Sequence, residues 1–81
     1  MTRATLAQVL QPALRDHYAV AGLVCLGWED ARAYVNAAEA ENRPVILQAG
    51  PGDRAHTPLP ILGAMFRHLA HSVSVPVVLH L

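Results

Sequence analysis

The side chains in this 81-residue chain that invite a metal hypothesis are its five histidines. His68 and His71 stand three apart, which makes them neighbours on a helix surface. Met65 and Leu69 mark the apolar stripe of the same segment, so the pair is expected to face solvent. His17 and His56 fall in turns and have no partner motif. His80 is different because it closes an apolar strand. It is expected either as a buried, hydrogen-bonded histidine or as a group in or behind a pocket. Cys25 has no partner for an internal disulfide and reads as a small buried hydrophobe, which fits a reducing compartment.

Other chemistries lack their patterns. A dinucleotide fingerprint needs three glycines at fixed spacing after the first strand, and Leu26-Gly27-Trp28 supplies one. Gly50-Pro51-Gly52 reads as a flexible turn, with no Gly-Lys-Ser/Thr behind it to reach phosphate and magnesium. Gly50 nevertheless sits at the carboxyl end of a parallel strand, where active-site loops of such folds gather, and is a candidate for lining a pocket. No Gly-x-Ser-x-Gly, reactive-cysteine setting or pair of strand-end carboxylates is present.

The balance of charge narrows the partners. Six arginines against six acids give a formal net charge of zero and no basic field for a phosphate backbone, so nucleic acid is not expected. No apolar run approaches the roughly 18 residues that would span a membrane. Met1-Thr2-Arg3-Ala4-Thr5 leads into a helical pattern without an apolar core and cleavage site, so no leader is expected and the location is expected to be cytoplasmic.

The elements that must position these groups follow from periodicity. Leu6, Val9, Leu10 and Leu14 repeat at helical spacing behind Thr5, a suitable cap, over roughly 5 to 15. Pro12 should kink or restart that helix. Residues 18–26 are apolar on both parities, as in a strand buried on both faces, and Gly27 ends them. From Trp28 to Asn42, Ala31, Tyr34, Val35 and Ala38 make one stripe, with Glu29 and Asp30 suited to the helix start and Pro44 enforcing its stop. Val45 to Ala49 read as a second buried strand.

Asp53 to His56 read as polar loop, and Thr57-Pro58 as the cap and first-turn proline of a third helix. Ile61, Leu62, Met65, Phe66 and Leu69 form that helix's apolar face. Pro76 to Leu81 read as a third strand. The order, helix then β-α-β-α-β with parallel strands, is α/β, and it opens either a doubly wound sheet or a TIM (β/α)8 barrel. A complete barrel needs roughly 250 residues. In a barrel, residues 1–81 would supply about a third, a single partial domain whose first and third strands have unpaired outer edges.

Read as whole segments, the chain is similar to one family. Tyr18-Ala19-Val20, Ala37-Ala38-Glu39-Ala40-Glu41 leading to Pro44-Val45-Ile46-Leu47-Gln48, then Pro51-Gly52, and Val75-Pro76-Val77-Val78-Leu79-His80-Leu81 resemble the opening of class II fructose-bisphosphate and tagatose-bisphosphate aldolases. The resemblance implies the N-terminal portion of an aldolase barrel, in a protein of glycolysis and carbohydrate metabolism. The parent would cleave a ketose bisphosphate reversibly to dihydroxyacetone phosphate and an aldehyde, with zinc as Lewis acid. In that family the third strand runs on into Asp-His, a proton-transfer aspartate and a zinc ligand.

The resemblance implies no catalytic residue and no metal ligand within residues 1–81. Val24, Gln48, Gly50 and His80 are the substrate-pocket candidates. The family's aromatic-Asn pair at the end of the first strand is here Leu23-Val24, and its hydroxyl residue after the second is Gly50. A different substrate or a loss of catalysis is implied by these departures. The sugar-phosphate substrate belongs to the parent, and the chain alone is expected to be inactive. Two alternatives are a non-catalytic piece that self-associates or is completed by a second polypeptide covering its strand edges, and a small freestanding α/β binding module.

Overall fold

Val45, Ile46 and Leu47 are buried on both parities of a strand, at 3%, 6% and 0% exposure, and a strand of that kind must lie between two covering layers. The computed structural model describes residues 3–81 and builds those layers around a four-stranded parallel sheet. Met1 and Thr2, part of the stretch read for a leader, lie outside the described residues.

The elements in chain order are β1 (Arg3–Ala4), α1 (Leu6–Asp16), β2 (Ala21–Val24), α2 (Trp28–Glu41), β3 (Val45–Gln48), α3 (Pro51–His56), α4 (Leu59–His71) and β4 (Val77–His80). The sheet order is β1-β4-β3-β2. The expected α/β class and parallel strand-helix alternation are present, and two helices instead of one connect β3 to β4.

Side chains alternate across each strand and so sort the core into two layers. Val45, Leu47 and Val77 face α2 and α4, where they pack with Val35, Leu62 and Phe66. Ile46 and Val78 point the other way and pack against Val9 of α1, with Ala4 and Val20 at the margin. The α1 helix thus covers one end of that second face. Thr5 starts it with a capping box, its hydroxyl accepting from the Gln8 amide at 3.2 Å while the Gln8 side chain accepts from the Thr5 amide at 2.9 Å. Pro12 lies inside α1 without dividing it; the cost is one backbone bond that proline cannot donate.

Several expectations are corrected. The first predicted strand is not buried on both faces. Ala21, Gly22 and Val24 of β2 are exposed and Leu23 is half-buried. This strand is the sheet edge, and α1 does not reach its far end. The outer edge of the last strand is not bare, because Arg3 and Ala4 pair in parallel with Val77 and Val78. Asp53 to His56 are not loop but belong to α3. Thr57 closes α3, and α4 is capped by Pro58 without a side-chain bond. Ile61, assigned to the buried stripe, is 57% exposed, since α4 presents Leu62, Gly63, Phe66, Leu69 and Ala70 instead.

The two turns that feed the carboxyl ends of β2 and β3 into helices are built alike. Asp30 lies three residues beyond Gly27, and Asp53 three beyond Gly50, and in each pair the aspartate accepts from the glycine amide at 2.9 Å. A carboxylate in the first turn answers both the free amides and the positive end of the helix. At the opposite end of the sheet, Glu39 accepts from the amide and the hydroxyl of Ser74, fastening α2 to the turn before β4. Those two bonds hold its carboxyl below the ordinary range.

Candidate functional site

Register and alternation together define one row of side chains at the carboxyl end of the sheet. Val24 pairs with Gln48, and Gln48 with His80. All three share the face of Gly22, Ile46 and Val78, two residues further on, or about 7 Å along the strands. The lower row is roofed by Val9 at Ile46 and Val78, whereas the upper row opens into a cleft of about 250 Å3. The four pocket candidates, Val24, Gln48, Gly50 and His80, all line it, together with Arg54.

The backbone holds this end of the sheet taut beyond the strands themselves. The Cys25 amide donates to the Gln48 carbonyl at 2.9 Å, and the Ala49 amide to the His80 carbonyl at 3.2 Å. Across the cleft floor, Gln48 Nε2 lies 3.2 Å from His80 Nδ1. With the amide nitrogen donating, Nδ1 accepts and the ring proton resides on Nε2. Gly22 makes room for this pair, since a Cβ there would meet the Gln48 amide at 3.2 Å.

His80 is exposed, which removes the buried-histidine alternative and leaves it at the cleft. Cys25 is buried and its thiol donates to the Leu23 carbonyl. Burial, and then the charge of Asp30, push that thiol up to about 11, so it stays protonated and a poor nucleophile at neutral pH. Asp30 itself is held below its ordinary value: partial burial opposes its charge, and the amides of Leu26, Gly27 and Ala31 outweigh that effect. His68 and His71 are exposed as expected, and the His68 ring leans against Trp28 with centroids 5.9 Å apart.

Among the described residues, no group of three or more histidine, cysteine, aspartate or glutamate side chains is placed to hold a metal ion. His80 is the cleft's sole imidazole, and its Nδ1 is engaged by Gln48. No described helix is long and apolar enough to cross a membrane.

Arg54 also lines the cleft, although its sequence context reads as loop. Placed in α3, it sends Nη1 to the Ala49 carbonyl at 3.2 Å and to the Leu81 carbonyl at 3.3 Å. The spacing that could have found it is the doubled Gly-x-x-Asp, at Gly27 to Asp30 and at Gly50 to Asp53. Both mark a strand end turning directly into a helix.

Two further depressions follow the sheet edges. One, of about 250 Å3, runs beside β2 between Leu23, Tyr34 and Val45 and is almost wholly apolar. The other, of about 590 Å3, lies beside β1 and β4 near Arg3, Arg67 and His71. It is the larger, and it opens beside the two-residue strand β1, with Thr5 and Leu6 just past that strand's carboxyl end among its lining residues.

A parallel α/β sheet with Gln48 and His80 side by side at its carboxyl strand ends is the layout shared by barrel and open-sheet α/β folds. The family model for class II fructose-bisphosphate aldolase matches residues 4–81. The chain belongs to that family. No curated protein matches it.

Proposed function

We propose that residues 3–81 are the opening scaffold of a metal-dependent aldolase barrel and form one wall of its sugar-phosphate cleft. The complete protein cleaves a ketose bisphosphate reversibly to dihydroxyacetone phosphate and an aldehyde. The observation that carries the proposal is the strand-end row Val24, Gln48, His80, open at the carboxyl face within a chain of this family. Gln48 and His80 supply hydrogen bonds to substrate, Gly50 lets its backbone come close, and Val24 offers an apolar contact. Zinc, which family membership implies for the complete protein, takes its ligands from elsewhere. The protein acts in the cytoplasm on sugar phosphates, and the 81 residues alone have no lyase activity.

The open edges favour a second polypeptide segment as the completing element. Leu23 and Tyr34 line an apolar depression beside β2, which has no strand on its outer side among the described residues. Such an edge is a template for pairing. The segment comes from the same polypeptide in a complete barrel, or from a separate one if the chain is an assembly piece.

The test is a coupled assay for dihydroxyacetone phosphate, using fructose and tagatose bisphosphates with the complete protein and with the 81-residue chain. Turnover by the complete protein alone is expected. Turnover by residues 1–81 without a partner would overturn the scaffold assignment.

A further inference from the structure

Arg54 projects from α3 to the mouth of the cleft, and one of its nitrogens bridges two main-chain oxygens that belong to different strand ends. Nη1 reaches the Ala49 carbonyl, just past β3, at 3.2 Å and the Leu81 carbonyl, just past β4, at 3.3 Å. Ala49 also donates its own amide to the His80 carbonyl. One guanidinium therefore closes a ring that runs from Arg54 to Ala49, to His80, to Leu81 and back.

We propose that Arg54 is a positioning residue of the cleft, fixing where the His80 imidazole stands. The proposal rests on the functional reading of the cleft given above. Arg54 is exposed, and exposed polar contacts of a cation add little to stability. The consequence of its bonds is geometric. Reacting groups displaced by about 1 Å can lose as much as a hundredfold in rate, and side chains at a site keep their aim only when their supports are bonded in turn. A planar guanidinium can serve two carbonyls at once, whereas a lysine ammonium on its flexible stem holds such a pair less firmly.

Turnover and the imidazole 15N resonances of His80 are measured in the complete protein carrying this segment, for Arg54→Met and Arg54→Lys, with Gln48→Leu as the control that moves the His80 signals directly. In Arg54→Met the His80 resonances shift, kcat falls about tenfold and KM stays within about twofold. Arg54→Lys recovers part of both effects. Shifted His80 resonances with unchanged turnover uphold the positioning role and remove the cleft from the chemistry. His80 resonances at their wild-type positions in Arg54→Met, while Gln48→Leu moves them, would overturn the proposal. If Arg54→Met does not fold, the same comparison of His80 signals in Arg54→Gln decides, with the same two outcomes.

Discussion

Gln48 and His80 are register partners on adjacent parallel strands, and their side chains meet at 3.2 Å on the sheet face that carries Ile46 and Val78, beyond the part that Val9 of α1 covers. Thirty-two residues apart in sequence, they are joined because β3 and β4 end level with each other. Replacing Gln48 by Leu removes the group that selects the His80 tautomer and keeps nearly the same volume. Stability should change by less than about 1 kcal/mol, since the pair is exposed and water can replace the amide. In the complete protein, kcat/KM should fall about tenfold, which steady-state kinetics and urea unfolding measure side by side.

Asp30 fastens the turn between β2 and α2 through the amides of Leu26, Gly27 and Ala31. Asp30→Ala should destabilise the fold by about 1 to 2 kcal/mol at pH 7, the usual worth of a helix cap. Its folded pKa lies below the ordinary 3.8, so its contribution is complete above that value and is lost as pH falls through the lower folded pKa. Urea midpoints for wild type and Asp30→Ala should therefore converge below pH 3.8.

Cys25 should resist thiol reagents at pH 8 in the folded protein and react at an ordinary rate once urea unfolds it, as an absorbance assay with an aromatic disulfide would report. Its pKa is raised from 9.0 to about 11. The unfolded chain therefore ionises first, and this group's stabilising contribution declines as pH rises from about 9 towards 11.

His17 ends α1 with φ of 59°, a left-handed conformation that glycine adopts without penalty. His17→Gly should raise stability by about 0.5 to 1 kcal/mol. Thermal unfolding tests this, and the gain should be smaller at Asn42, where φ is 54° but asparagine already tolerates it.

The parts of the fold that could be read in the sequence are those set by local pattern. Ala31, Val35 and Ala38 fall on the buried side of α2 as their spacing predicts, and Val45 to Leu47 are buried on both faces. The α3 helix is hard to read because Pro51 and Gly52 look like a turn, whereas proline in the first helical turn and Asp53 accepting from the Gly50 amide start a helix as well. Nothing in Arg3 or Ala4 signals a strand, since their pairing depends wholly on β4 being alongside. The apolar sequence of β2 implies a cover that residues 3–81 do not provide. Val24, Gln48, Gly50 and His80 converge on one cleft because parallel strands bring their carboxyl ends to one side, a rule of topology that needs no contact information. Arg54 required knowing that a helix, not a loop, follows Gly50.

The most direct test compares dihydroxyacetone phosphate release from a ketose bisphosphate by the complete protein and by the 81-residue chain, each with zinc supplied. Release by the complete protein and none by the chain alone is the predicted result. Release by the isolated chain, or none from any ketose bisphosphate by the complete protein, would contradict the assignment of these residues as the scaffold and cleft wall of an aldolase.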